Sequence, residues 1–175
     1  MISPYKYVRE ATKDGESLLA LCCGIGLELK SLKTSDVTAV DIVPAYLAEV
    51  HKRCPQAKVV CADALAYVKV QPDNSIDVIS LIDGIEHMTK EVGAELITQM
   101  KRVCRKKILL FTTEGYVRNE PHNTWDIEGA DEYQEHRSGW KIEELEHLGF
   151  NLISRQSSIT QHNEPYHALM FVLEK

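Results

Sequence analysis

The stretch Ser17-Leu18-Leu19-Ala20-Leu21-Cys22-Cys23-Gly24-Ile25-Gly26 decides how the rest of the chain is read. Its apolar part is continuous rather than alternating, which predicts a strand covered on both faces, as in a parallel sheet. Gly24 and Gly26 end the run, and glycine there lets the backbone come close to a ligand. Further along, apolar runs recur: Val37–Val40 ending at Asp41, Lys58–Cys61 reaching Asp63, Ile76–Ile82 ending at Asp83, and Ile108–Phe111. Amphipathic segments separate them. Pro44 opens AYLAEVHKR, which Pro55 closes, since proline suits the first turn of a helix. ALAYVKV follows Asp63, and Thr89 is a fitting N-cap for a helix from Lys90 to Cys104. The interval from Gly26 to Asp41 leaves room for another helix and a strand.

Past the fifth run, the polar stretch from Thr112 to Ser138 shows no periodicity, and so long a loop inside a domain usually serves function. A helix with Ile142, Leu145 and Leu148 inward and Gly149 at its end is expected next. Asn151–Ile159 and Ala168–Leu173 then read as two final strands. Alternation of this kind predicts an α/β, doubly wound Rossmann-like sheet. It should be mostly parallel, with an antiparallel last strand and helices on both faces. Residues 1–175 read as one domain, with 1–16 as a short N-terminal extension and 112–138 as a loop on the substrate side.

At 175 residues the chain can bury a core without staples. Its 20 Lys+Arg against 26 Asp+Glu, net −6, argue against nucleic-acid binding by phosphate neutralisation. Five cysteines without a C-x-x-C spacing indicate neither a disulfide framework nor a zinc cluster, and point to a reducing, cytoplasmic setting. Cys22, Cys54, Cys61 and Cys104 lie in or beside apolar runs and are expected to pack as small hydrophobes. No apolar run is long enough to span a bilayer, so no membrane partner is expected. Lys101, Arg102, Arg105, Lys106 and Lys107 crowd one helix end, where cations complement the helix dipole.

In an open α/β sheet, ligands sit beyond the carboxyl ends of the strands, which here carry the glycine turn, Asp41, Asp63 and Asp83. An acid at the end of the second strand suits a ribose diol. A dinucleotide would require a third small residue in G-x-G-x-x-G, and Leu29 occupies that place. A nucleoside ligand without a pyrophosphate fits better.

From about Ser17 to Lys175 the chain resembles the class I S-adenosylmethionine-dependent methyltransferases. LLALCCGIG, VTAVDI, VVCADAL, SIDVISLIDGIEHM, KKILLFTTEG and HRSGWKIEELEHLGF look like that family's motifs in their usual order. In particular they resemble a subset with D-x-I-E-H and H-x-S-x-W segments. The resemblance implies a methyltransferase sheet that binds S-adenosyl-L-methionine and releases S-adenosyl-L-homocysteine. It implies cofactor contacts at Cys22, Cys23, Gly24, Ile25, Gly26, Asp41, Ile42, Asp63, Ala64, Ile82 and Asp83, with Asp41 at the ribose and Asp63 and Ala64 beside the adenine. Ala20 departs from the family, which generally has an acid there to help hold the methionine amine, and Cys22 replaces a usual glycine.

Methyl transfer from a sulfonium is an in-line displacement, so a base matters only if the acceptor has a proton to lose. The candidates are His136, His87 and Glu86. Trp125 and Tyr133 could line an acceptor pocket, whereas Trp140 reads as a packing residue that pins the loop. Asp83, Glu86, His87 and His136 also resemble the carboxylate–histidine set with which RNA 3′-terminal ribose methyltransferases bind a divalent metal. Acid–base or structural use is favoured over a metal. Acid excess between Glu114 and His147 favours a neutral or cationic small-molecule acceptor. The expected state is a monomer or homodimer. The alternatives are a non-catalytic methyltransferase-like binding domain and, less favoured, an NAD-dependent oxidoreductase.

Overall fold

Each continuous apolar run becomes a strand in the computed structural model, which describes residues 3–119, 127, 129, 131–160 and 162–175. They are β1 (Leu18–Leu21), β2 (Val37–Asp41), β3 (Lys58–Cys61), β4 (Ile76–Ile82) and β5 (Cys104–Thr113). β6 (Asn151–Ile159) and β7 (Pro165–Glu174) complete one sheet in the order β3-β2-β1-β4-β5-β7-β6. β1 to β5 pair in parallel, and β7 runs antiparallel to both β5 and β6. The last strand is therefore the antiparallel one, as the sequence predicts.

The continuous runs have a physical cause. Leu19 and Leu21 of β1 join a core on one face with Leu96, Ile97 and Met100. Leu18 and Ala20 join a core on the other with Val8, Leu47 and Val50. Both faces need apolar side chains, so the period-two signal disappears. Helices α2 (Pro44–Arg53), α3 (Ala64–Lys69), α4 (Lys90–Val103) and α5 (Ile142–His147) lie close to the expected spans.

Four expectations are corrected. The interval after Gly26 holds only a 3₁₀ turn, Leu27–Leu29, because Lys30 is extended and Ser31 has a φ of +65°. Helix α1 (Pro4–Ala11) forms within the stretch expected to be a simple extension, and it packs against that turn and against β4 and β5. Val8 is fully buried there. β3 is an edge strand, so Cys61 is exposed rather than packed. β5 runs on to Thr113, shortening the loop expected from Thr112.

The basic cluster is consumed internally. Arg102 donates to the carbonyls of Val68, Lys69 and Gln71 at 3.1, 3.1 and 2.8 Å, capping the end of α3. Arg105 pairs with Asp77 at 3.1 Å, Lys106 with Glu16 at 3.0 Å and Lys107 with Glu174 at 3.0 Å.

Candidate active site

β1 has β2 and β3 on one side and β4 on the other, so the chain leaves their carboxyl ends in opposite directions and a crevice opens there. The crevice is a cavity of about 640 Å³. Cys22, Cys23, Gly24, Ile25, Asp41, Ile42, Asp63, Ala64, Ile82 and Asp83 all line it. Gly26 does not. Its φ of +75° and the 3.1 Å separation between an added Cβ and Val50 Cγ2 show that glycine is needed there for the turn and for α2.

Asp41 organises the glycine turn. Gly24 N–H donates to its Oδ2 at 2.8 Å and Val43 N–H to its Oδ1 at 2.9 Å. Burial raises its pKa, and those amides partly offset the rise. Both oxygens keep further lone pairs for a diol at the cavity edge. Asp63 caps α3 by accepting the Ala66 N–H at 2.8 Å. Burial raises the Cys22 and Cys23 thiols, which are therefore neutral and not nucleophilic at physiological pH.

Asp83 has a φ of +52° and is exposed where it opens onto the cavity, with the crevice walls around it. Those surroundings and the nearby Glu86 push its pKa up to about 8. Glu86 is buried at 1% exposure behind the lining, where Thr112 Oγ1 donates to its Oε2 at 3.1 Å. It does not face the cavity directly.

His87 and His136 both line the cavity, their rings edge-to-face with centroids 4.9 Å apart. His136 Nδ1 meets the Val117 carbonyl at 2.6 Å, and His87 Nδ1 meets the Glu135 carbonyl at 3.2 Å. With the proton held at Nδ1, each neutral ring keeps Nε2 as an acceptor. Burial lowers the pKa of His87, and burial with the facing His87 lowers that of His136 to about 4.

The polar segment is anchored by its backbone. Arg137 and Ser138 N–H both donate to the Glu86 carbonyl, at 2.8 and 3.1 Å, and Gly115 N–H donates to the Trp140 carbonyl at 2.8 Å. Trp140 is 2% exposed, with Nε1 donating to Ser138 Oγ at 3.1 Å, so it packs rather than facing the cavity. Tyr133 lines the cavity; Trp125 lies outside the described residues.

Sequence reasoning did not single out Tyr5 or Glu28, which also line the cavity. The signal for Glu28 was faint: an acid two residues beyond the second glycine. Glu28 is 3% exposed, with Ser80 Oγ donating to Oε1 at 3.1 Å, and burial pushes its pKa up to about 8.

A family model described as methyltransferase domain matches residues 18–107. No curated protein sequence matches the chain. Among solved structures, the fold is similar to 1,6-didemethyltoxoflavin-N1-methyltransferase from Burkholderia thailandensis, solved with 1,6-didemethyltoxoflavin and S-adenosylhomocysteine bound. That match has a TM-score of 0.67 and 14% identity, over 98% of this chain and 76% of the other. A SAM-dependent methyltransferase from Archaeoglobus fulgidus has a TM-score of 0.65 and 18% identity, over 97% and 90% of the two chains. A Haemonchus contortus phosphoethanolamine N-methyltransferase, in complex with phosphomonomethylethanolamine and S-adenosylhomocysteine, has a TM-score of 0.67 and 16% identity. This chain matches it over 98% of its own length and 52% of the other's. At these identities the likeness is one of fold. Among the described residues, no helix is long and apolar enough to cross a membrane.

Proposed function

The chain belongs to the methyltransferase-domain family, and from that premise we propose that it transfers a methyl group from S-adenosyl-L-methionine to a small-molecule acceptor. One observation carries the reading: the strand-end groups Gly24, Asp41, Asp63 and Asp83 and the histidine pair His87–His136 border the same cavity. The nucleoside would lie along the ends of β3 and β2, with its ribose at Asp41 and its adenine beside Asp63 and Ala64. The methyl would then point toward the histidines. Holding both partners in line supplies much of the rate. His136 Nε2, neutral at physiological pH, would take the proton from a hydroxyl or amine acceptor, with His87 beside it and Glu86 fixing the backbone of both segments. The two neighbours solved with acceptors hold small molecules, which agrees with this class.

A pyrophosphate ligand fits poorly. Leu29 is 1% exposed in the core, and a three-residue 3₁₀ turn offers no helix N-terminus to a phosphate.

A second reading of the histidine pair is favoured by one observation. Glu86 Oε1 is buried without a hydrogen-bond partner, and one ligand atom each from Glu86, His87 and His136 lie within 4.8 Å of one another. Nδ1 bonds to backbone carbonyls are the usual support for metal-bound imidazole, and one carboxylate with two imidazoles suits a divalent cation. A proton carried by Asp83 would satisfy Glu86 equally well. Calorimetric titration with S-adenosylmethionine, S-adenosylhomocysteine and NADH, with and without Mn²⁺, tests these readings. The expected result is binding of the first two and not of NADH. NADH binding alone would overturn the assignment, and binding of none would leave a non-catalytic domain. A rise in thermal stability with Mn²⁺ alone would establish the metal reading.

A further inference from the structure

The cavity contains more carboxyl groups than the proposed nucleoside contacts use. Among the described residues, Asp41 accepts two backbone N–H groups, Asp63 caps α3, and Asp83 faces Glu86. Glu28 differs from all of them. It comes from the 3₁₀ turn after the glycines, lines the cavity and, among the described residues, is held only by the Ser80 hydroxyl. Ser80 is the β4 partner of Ala20 in the sheet register. The Glu28 carboxyl is thus placed over the middle of the β1–β4 pair, on the sheet face where β1 carries only the buried methyl group of Ala20.

Position along the sheet then assigns a role. If the nucleoside lies along β3 and β2, the other end of the cofactor crosses β1 towards β4. That end is an amino acid with a cationic ammonium. We infer that Glu28 is the specificity residue for that ammonium, taking over from the turn a task that Ala20 cannot perform from β1. The inference rests on the proposed cofactor.

The charge balance follows. The titratable groups facing Glu28 are Asp41 from β2, Asp83 after β4, Tyr5 from α1, and Cys22 and Cys23 after β1. Tyr5 and both thiols are neutral at physiological pH, because burial raises each of them. Asp41 and Asp83 reinforce the burial that keeps Glu28 protonated up to about pH 8 when the cavity is empty. A bound ammonium favours the carboxylate, so the Glu28 proton leaves to solvent as the ammonium–carboxylate pair forms. Binding is therefore coupled to release of one proton, and affinity should rise by about tenfold per pH unit until Glu28 ionises unaided.

The experiment is calorimetry of S-adenosylhomocysteine binding at pH 7 in two buffers of different ionisation enthalpy, for the wild type and Glu28→Gln. A parallel titration uses 5′-methylthioadenosine, which keeps the nucleoside and lacks the amino-acid end. The wild type should release about one proton with S-adenosylhomocysteine and none with methylthioadenosine. Glu28→Gln should bind S-adenosylhomocysteine at least tenfold more weakly, without proton release, and bind methylthioadenosine as the wild type does. The wild type's own pH profile should show the same proton release, and its loss in Glu28→Gln separates Glu28 from Asp83, which is also pushed up to about 8. Equal S-adenosylhomocysteine affinity in both proteins would overturn the assignment. So would equal weakening of both ligands, which would mark Glu28 as structural. If the wild type binds neither ligand, the cofactor reading itself fails.

Discussion

Along one wall of the cavity, Asp41, Asp63 and Asp83 sit at or just beyond the ends of β2, β3 and β4, each carried by a strand fixed by parallel pairing on at least one side. Along the other, His87 lies on the short Ile85–His87 turn and His136 in the polar segment, joined through backbone bonds to Glu86, Glu135 and Val117. The first wall is placed by the sheet and keeps its geometry as long as the core is intact. The second is placed by a few local hydrogen bonds, which are worth about 1 kcal/mol each. Groups that must hold a cofactor belong on the first, and groups that meet a varied acceptor belong on the second.

The largest expected effect would break this division. His136→Ala should lower turnover by about 10²–10⁴-fold if His136 is the base, while S-adenosylhomocysteine affinity stays nearly unchanged. The readout is S-adenosylhomocysteine formed with an acceptor found by screening small hydroxyl and amine compounds. Normal turnover would leave the segment a passive cover, with any base at His87. A parallel loss of cofactor affinity would show that the two walls are one unit.

Glu28, on the turn beside the first wall, and His136, in the second, titrate in opposite senses, which sharpens the comparison. Glu28 is raised from an ordinary 4.5 to about 8, so the native state keeps a proton that the unfolded chain has lost. Its stabilising contribution is present below about pH 4.5 and fades as pH rises towards 8. His136 is lowered from 6.5 to about 4, so the unfolded chain binds the extra proton between those values. Its contribution is present above pH 6.5 and fades as pH falls towards 4. Urea midpoints of the ligand-free protein should therefore fall at both ends of the range. Glu28→Gln should flatten the alkaline decline and His136→Ala the acid one. Unchanged slopes in both variants would place the titrating groups elsewhere.

How much of this was legible beforehand follows the same division. Ser17–Cys22, Val37–Asp41 and Ile76–Asp83 could be read as strands with polar ends because burial on both faces leaves a continuous apolar run. The acids at those ends needed no tertiary knowledge. Glu28 did, since its meaning comes from Ser80, far away in sequence, and from a turn that stops at Leu29 where a helix had room to form. Tyr5 was hidden for a related reason: α1 is short and polar on one side, and it stands as a helix by burying Val8 on the sheet. The His87–His136 contact depends on backbone bonds between segments with no shared periodicity, so composition could nominate both residues but not pair them.

Within the cofactor wall, Asp41 and Asp63 separate by magnitude. Asp41→Ala removes hydrogen bonds to a ligand diol and frees the Gly24 and Val43 amides, so S-adenosylhomocysteine binding should weaken by about 1.5–3 kcal/mol, roughly ten- to hundred-fold. Unchanged affinity would remove Asp41 from the site. The smallest effect belongs to Asp63→Ala. Asp63 caps a six-residue helix through the Ala66 N–H, and losing such a cap costs about 1 kcal/mol, or roughly 2–4 °C in Tm for a chain of this size. A contact to adenine at the same position can be replaced by water, so affinity should fall less than in Asp41→Ala. Asp63→Asn keeps the cap, because an amide oxygen accepts the same N–H, but it loses the charge. If Asn restores Tm and leaves the affinity defect, Asp63 touches the ligand. If Asn restores both, its place at the end of β3 serves α3 alone, and the adenine is held by the apolar lining around Ala64.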